Sequence, residues 1–218
     1  MPRGLRRVQE SGHSHFVTFS CCHRRPYFAT DGLFDLFIQN LEDMRVRFDL
    51  RVYGYVVMPE HVHLLLSEPA VARLGEAIHY LKLSFAKRAR GLRSASAQVS
   101  AQRTGANLGH QVLGSFWEKR YYDRNVRDYR EFTGKLRYLH RNPVKRGLVR
   151  NPEEWKWSSY RHYALREIGV VEIESEWTAR DREGRAGDKR IFLSPPMVPQ
   201  VRARSLGANL GDRYEAVR

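Results

Sequence analysis

Between Leu50 and Ser67 the sequence reads Leu-Arg-Val-Tyr-Gly-Tyr-Val-Val-Met-Pro-Glu-His-Val-His-Leu-Leu-Leu-Ser. Two runs of β-forming residues are separated only by Pro59-Glu60. So short a connection can join antiparallel neighbours and cannot make a parallel crossover. The chain therefore contains a hairpin, and its other elements must cover that hairpin's faces. Residues two apart on a strand share a face. His61 and His63 project together, while Val62, Leu64 and Leu66 point the other way, into a core. Two imidazoles on one rigid face make half of a metal site. For an isolated His-x-His the plainer reading is a polar pair on the solvated side of a half-buried strand, and the rest of the chain has to decide.

Around the hairpin, Phe16 to Cys22 is rich in β-formers and predicts a first strand, followed by a turn at His23-Arg24-Arg25-Pro26. A helix is expected over Asp31–Arg47, with Phe34, Phe37, Leu41, Met44 and Phe48 as its apolar stripe. Leu50–Met58 and His61–Ser67 are the second and third strands. A second helix runs from about Ala72 to Arg90, burying Leu74, Ile78, Leu81 and Phe85. Residues 94–113, rich in Ser, Ala, Gln and Gly, read as a flexible loop. Ser115–Arg124 reads as a fourth strand. A third helix is expected from about Arg127 to Arg141, ended by Asn142-Pro143 because a residue before proline is pushed out of the α region. One more helical turn is expected from Pro143 to Leu148, stopping near Gly147.

The order strand-helix-strand-strand-helix-strand is the ferredoxin-like plan. The expected fold is α+β, a four-stranded antiparallel sheet with packed helices, plus a further helix and a C-terminal extension. Residues 1–14 read as a flexible basic arm, 15–165 as the domain, and 166–218 as a largely irregular extension, charged and Pro/Gly-containing beyond about 178. The aromatic run Glu153–Tyr163 is expected to pack back on the domain. Gly-Ala-Asn-Leu-Gly occurs at 105–109 and again at 207–211, a repeat for which we have no physical account.

The 38 Lys and Arg against 24 Asp and Glu leave a formal charge of +14. Such an excess calls for a polyanion, and nucleic acid fits better than a membrane, since no apolar run approaches the roughly 20 residues of a span. No signal-peptide pattern opens the sequence, and its only cysteines, Cys21 and Cys22, are adjacent. That spacing offers neither a disulfide framework nor a Cys-x-x-Cys metal site and suits a reducing cytoplasm. A metal would be held by His, carboxylate or amide. Lys82, Lys87 and Arg88 crowd the C-terminal half of the second helix, where they serve either the helix dipole or a phosphate contact.

On the third helix Tyr129, Phe132, Leu136 and Leu139 form the apolar stripe. Tyr138 falls more than about 90° from its centre, and Asn142 lies beside it one turn later. Their plain reading is a surface tyrosine and a helix-end cap. Set beside two imidazoles they suit one chemistry. A tyrosine hydroxyl is a weak nucleophile that needs activation, and a divalent metal stabilises charge developing on a phosphate. Neutral imidazole and amide donors leave that metal electrophilic. Zinc or another first-row ion accepts imidazole readily, whereas magnesium needs added oxygens from water or substrate. The rival nucleophiles are Tyr121 and Tyr122 on the fourth strand and Tyr129, assigned to the core. Glu60 reads first as a turn residue and second as a partner orienting a histidine.

His61-Val62-His63 after Met-Pro-Glu resembles the histidine-hydrophobic-histidine motif of the HUH nucleases. Trp117-Glu118-Lys119-Arg120-Tyr121, Tyr138-Leu139-His140-Arg141-Asn142-Pro143-Val144-Lys145-Arg146-Gly147 and Trp157-Ser158-Ser159-Tyr160 resemble segments of the IS200-like single-tyrosine transposases, and among these the REP-associated tyrosine transposases. The resemblance spans about residues 12–165. It implies that His61 and His63 ligate Mg²⁺ or Mn²⁺, that Asn142 is the third ligand, and that Tyr138 is the nucleophile. Its attack on single-stranded DNA would leave a 5′-phosphotyrosine and a free 3′-hydroxyl. Substrates would be hairpins formed by repeat DNA or element ends. Arg24, Arg25, Lys82, Lys87, Arg88, Arg120, Lys145 and Arg146 are the expected DNA contacts. A monomer or homodimer in the bacterial cytoplasm, at the nucleoid, fits the family. Two other readings compete: a non-catalytic single-stranded nucleic-acid-binding protein built on the same sheet, and a zinc-stabilised structural domain, which would need about four ligands.

Overall fold

The structure, a computed structural model, describes residues 12–104 and 115–186; of 92–104 and 185–186 only the backbone is described. The elements are β1 (Ser14–Ser20), α1 (Asp31–Arg47), β2 (Val52–Val57), β3 (His61–Leu66), α2 (Leu74–Thr104), β4 (Tyr122–Val126), α3 (Tyr129–Lys145), α4 (Tyr160–Leu165) and α5 (Glu176–Ala186). The four strands form one antiparallel sheet in the order β2-β3-β1-β4. This is the ferredoxin-like arrangement expected from the element order. No helix among the described residues is long and apolar enough to cross a membrane.

Register sorts the side chains. Thr18 of β1 and Val56 of β2 stand opposite His63, so they share its face with Phe16 and His61. Val17, Phe19, Val57, Val62 and Leu64 share the other. That second face meets α1 and α2. Phe34, Phe37, Leu41 and Met44 from α1 and Leu74, Ile78, Leu81 and Phe85 from α2 are all buried. Phe37 lies against Phe19 and Phe85. The two predicted stripes are therefore the core, and α1 has the bounds its periodicity predicts.

Several expectations need correcting. Helix α2 runs to Thr104, where a loop was expected from residue 94. Between Gly91 and Gly105 there is no glycine or proline, and Ala and Gln are good helix formers. Residues 105–113 lie outside those described. Strand β4 begins at Tyr122 rather than Ser115. The stretch before it meets the sheet through the bridge from Trp117 to Cys21, the Trp117 ring against Phe19 and the Glu118 N–H donated to the Ser20 carbonyl at 2.9 Å, without forming strand ladder. Helix α3 continues through Pro143 to Lys145. A proline in the final turn costs only its own hydrogen bond, and the Arg146 and Gly147 N–H groups still close back on Asn142 and Val144. The stop at Gly147, with φ of 68°, falls where it was expected.

The edge of β2 is covered. The Val57 N–H donates to Trp157 O and Ser159 N–H to Tyr55 O, while Glu174 N–H reaches Val52 O. The aromatic run does pack back, and it protects an edge that would otherwise invite strand pairing. The extension is more ordered than its composition implies. Val171 and Ile173 are buried, and α5 begins at Glu176, ahead of the charged tail expected past 178. Ser175 and Thr178 cap each other's backbone at its start, and the Trp177 indole stacks on His162. Residues 187–218, the second Gly-Ala-Asn-Leu-Gly among them, lie outside those described, as do residues 1–11 of the expected basic arm.

His15 of β1 is wholly buried between two carboxylates, Asp123 at 2.8 Å and Glu68 at 3.2 Å. Burial alone pushes its imidazole down, but the hydrogen bonds and charges of Asp123 and Glu68 outweigh it and hold the pKa above the ordinary value. The cluster ties β1 to β4 and to the exit of β3. A raised folded pKa gives stability that is complete below the unfolded value near 6.5 and is lost as pH rises through the folded one. His15→Ala should cost about 3–5 kcal/mol in urea unfolding near pH 6, because two carboxylates lose their shared partner. It should also flatten the decline of stability with rising pH above about 6.5. A variant whose stability profile ran parallel to the parent's would contradict the charged clamp.

Candidate active site

His61 and His63 are each only 5% exposed. The reading of a solvated polar pair therefore fails, because α3 lies over their face of the sheet. A buried imidazole needs partners for both ring nitrogens, and all four are answered. Thr18 Oγ1 is 2.7 Å from His63 Nδ1, Glu60 Oε1 is 3.1 Å from His61 Nδ1, and the two Nε2 atoms face each other at 3.0 Å. Burial pushes His63 down to about 3, with the neighbouring positive charges adding to it. Burial lowers His61 too, against the pull of Glu60. Both rings are neutral near pH 7, with their Nε2 atoms converging on one spot. Glu60 is thus more than a turn residue. Burial pushes its carboxyl up, but adjacent positive charge holds it below the usual range. With His61 neutral, that charge is Arg146, which hydrogen-bonds the same carboxylate.

Helix α3 reaches the histidines because β2 carries a glycine beneath it. A Cβ on Gly54 would stand 2.6 Å from Leu136 Cδ1, 3.3 Å from Ser159 Oγ and 3.4 Å from Leu139 Cδ2. His140, given no role by the sequence, is buried and pairs with Ser159 Oγ at 2.9 Å, which in turn accepts the Tyr55 N–H. Burial pushes this imidazole down to about 3, so it acts as a neutral peg between α3 and β2. With Leu136, Leu139 and His140 facing inward, Tyr138 comes to the rim. It is 43% exposed, its ring lies 5.3 Å from that of His63 and 6.0 Å from that of Phe16. Tyr138, Asn142 and Arg146 follow one another at one-turn intervals. The first touches His63 and the last holds Glu60, so Asn142 lies between those two contacts. It is 6% exposed and inside the helix, so it is not the end cap of the plain reading.

The rival tyrosines separate by position. Tyr129 is 40% exposed, not core as the stripe implied, and sits nine residues, about 13 Å along the axis, from Tyr138. The Tyr121 hydroxyl lies close to Gly75 at the start of α2, on the far side of the sheet. Tyr122 stands opposite Thr18, on the histidine face but one strand further out.

The expected DNA contacts divide as well. Lys145 Nζ is 5.7 Å from the Tyr138 ring, Arg146 is on Glu60, and the charge of Arg24 is felt by both histidines. Arg25 and Arg120 are exposed. Lys82, by contrast, is half-buried on the opposite face, its ammonium donated to the carbonyls of Glu118 and Lys119. Arg88 pairs with Asp43, and Lys87 is exposed on the same helix. The structure does not bring these three to the histidines. Sequence reasoning missed Thr18, whose role needs the β1–β3 register. It also missed Lys135, whose ammonium lies 4.8 Å from the Phe16 ring and acts on His63; its place one helical turn from Leu139 on an otherwise apolar side was the available signal.

Two neutral imidazole nitrogens converging on one spot are a donor pair that suits a divalent cation, with an exposed phenol at its edge and a buried amide one helical turn further along α3. Comparison with known proteins gives the family. The sequence profile of the family described as "Transposase IS200 like" matches residues 9–142. A candidate REP-associated tyrosine transposase of Haemophilus influenzae is 24% identical over 166 residues, 75% of this chain and 88% of that protein. The REP-associated tyrosine transposase of Escherichia coli is 25% identical over 186 residues, 85% and 97% of the two chains. A solved structure of a REP-associated tyrosine transposase bound to a REP hairpin superposes with a TM-score of 0.56 at 17% identity, covering 79% of this chain and 92% of that one.

The close packing at Gly54 can be tested without reference to activity. Gly54→Val should destabilise by about 1–3 kcal/mol in urea unfolding through overpacking against Leu136 and Ser159, despite valine's better strand propensity. Gly54→Ala should fall at the lower end, since only a Leu136 methyl must turn aside. A neutral Gly54→Val would mean that α3 does not pack on β2 at this distance.

Proposed function

The chain belongs to the IS200-like transposase family, and from that premise we propose that it is a single-strand DNA endonuclease and strand transferase acting through Tyr138 on hairpin-forming repeat DNA. The observation that carries the proposal is the ring of Tyr138 lying 5.3 Å from that of His63 while remaining open to solvent. In this reading His61, His63 and Asn142 hold Mg²⁺ or Mn²⁺, which when bound supplies Lewis-acid polarisation of the scissile phosphate. The Tyr138 oxygen attacks phosphorus, the bond to the 3′ oxygen breaks, and the products are a 5′-phosphotyrosine and a free 3′-hydroxyl. A second 3′-hydroxyl reverses the exchange and joins strands without ATP. Lys145 and Lys135, on the same face, hold the phosphate backbone. Arg24, Arg25, Arg120 and Arg146 extend that positive surface. Thr18 and Glu60 orient the histidines through Nδ1, as partners of metal-binding imidazoles commonly do. The protein acts as a monomer or homodimer on DNA in the bacterial cytoplasm.

The test is a cleavage assay with labelled single-stranded hairpins from the source genome's repeats, resolved on a denaturing gel. A covalent protein–DNA band should require Mn²⁺ or Mg²⁺ and should disappear in Tyr138→Phe and in the His61→Ala/His63→Ala double variant. A band that survives Tyr138→Phe and is lost in Tyr122→Phe would move the nucleophile. Binding without any covalent band across a broad substrate set would favour the non-catalytic binding protein. Thr18→Val should weaken Mn²⁺ binding about 10–100-fold without abolishing DNA binding; unchanged metal affinity would deny Thr18 its orienting role.

Binding should also weaken steeply with salt, since each neutralised phosphate releases a counterion. Combined Lys135→Ala and Lys145→Ala should lower the slope of log K against log[salt] by about 2, while Lys87→Ala leaves it unchanged. Equal effects from both faces would contradict a DNA surface confined to the α3 side.

A further inference from the structure

Immediately after β1 the chain makes a tight turn in which His23 and Arg24 both take positive φ, 54° and 52°. Two consecutive non-glycine residues in the left-handed region are uncommon and persist only where the surroundings impose them. Here they are imposed. The Cys22 N–H donates to Phe116 O, the His23 N–H donates to Glu118 Oε1 at 2.7 Å, and Glu118 N–H donates to Ser20 O. The turn is thereby zipped to the stretch before β4. One consequence is a cluster of donors of three kinds: Cys22 Sγ, a His23 ring nitrogen and a Glu118 carboxylate oxygen lie within 4.8 Å of one another.

We propose that Cys22, His23 and Glu118 form a second divalent-cation site, of zinc class, that staples the turn carrying Arg24 to the stretch before β4. Thiolate, imidazole and carboxylate together are zinc-type donors, whereas the His61/His63 pair has no sulfur. Zinc–ligand bonds of about 2.0–2.3 Å set ligands roughly 3.5 Å apart in a tetrahedral site. The exposed His23 and half-exposed Cys22 and Glu118 need only turn their side chains to close that gap, because the backbone already frames it. Three protein ligands leave a fourth place for water. The site lies beside the turn whose Arg24 acts on both active-site histidines, so its metal fixes the position of a cation at the DNA face. It makes no demand on Tyr138 or on the nuclease reading.

Cobalt substitution reads the site directly, because a thiolate bound to Co²⁺ gives a near-ultraviolet charge-transfer absorption that imidazole and amide ligands do not. The chain has two cysteines, and Cys21 is fully buried, so the band reports Cys22. Metal-stripped, reduced full-length protein titrated with Co²⁺ should develop one equivalent of this band, and added Zn²⁺ should displace it. The band should vanish in Cys22→Ser and persist in the His61→Ala/His63→Ala double variant. His23→Ala and Glu118→Gln should each weaken cobalt binding about tenfold or more, no less than loss of an outer partner costs. Absence of the band at saturating Co²⁺, its survival in Cys22→Ser, or unchanged affinity in both His23→Ala and Glu118→Gln would overturn the proposal. Loss of the band in the double histidine variant would overturn it as a separate site.

Discussion

Two imidazoles cannot be buried on a sheet face unless every ring nitrogen is answered, and the arrangement around β3 follows from that requirement. The hydrogen bonds allow one chain of neutral tautomers: the Thr18 hydroxyl donates to His63 Nδ1, His63 Nε2–H donates to His61 Nε2, and His61 Nδ1–H donates to Glu60. A metal would need both Nε2 lone pairs, so His63 would carry its proton on Nδ1 and Thr18 would accept it. A hydroxyl serves both states because it donates and accepts, and valine, its isostere, serves neither. Glu60 needs no such reversal, since His61 keeps its proton on Nδ1 in either case. Arg146 then keeps Glu60 ionised, so the far end of α3 is bound to the same chain of contacts.

Placing the proposed nucleophile, Tyr138, at this pair is a packing problem before it is a chemical one. α3 is amphipathic, and its inner side must rest on β2 at a point where any side chain would intrude. Gly54 supplies the space, and the pair of His140 with Ser159 fixes the helix's rotation. Once Leu136, Leu139 and His140 are committed inward, Tyr138 has one place to go. Tyr129, on the same helix, is barred by distance, and Tyr121 by lying across the sheet. The Trp157–Tyr160 run has two jobs in this view: its backbone closes the edge of β2, and its Ser159 holds the helix.

Legibility in the sequence followed the reach of each interaction. The hairpin, α1 and the two core stripes are local patterns, and the ferredoxin-like order follows from them. The placing of Tyr138 outside the apolar stripe was local too, and it survives. What failed was weakly local or not local at all. Residues 94–104 have the composition of a loop but contain no breaker, so helix propensity carried α2 onward. Pro143 reads as a helix end in isolation, yet one missing hydrogen bond in the last turn does not end a helix whose Asn142 is already buried. Tyr129 fits the stripe by angle but lies a turn before the sheet begins to cover it. α5 looked too polar to fold, and the sequence does not show that His162 waits for Trp177. Thr18 could be found only after the register of β1 against β3 was known.

The charge excess shows the same divide between composition and position. A surplus of +14 points to a polyanion without saying where it binds. On the α2 side Lys82 is consumed by backbone carbonyls and Arg88 by Asp43, so their charge is partly neutralised within the fold. On the α3 side Lys135 and Lys145 stand over aromatic rings, which hold the ammonium groups in place without cancelling them. Burial does most to oppose protonation of the two histidines, and nearby positive charge adds to it: Lys135 and Arg24 at His63, Arg24 and Arg146 at His61. Cations on the face that would meet a phosphate backbone therefore reinforce burial in keeping the imidazoles in the only state that can bind a metal. That double effect, rather than the net charge, is the strongest physical argument for reading the α3 side as the face where DNA and chemistry meet.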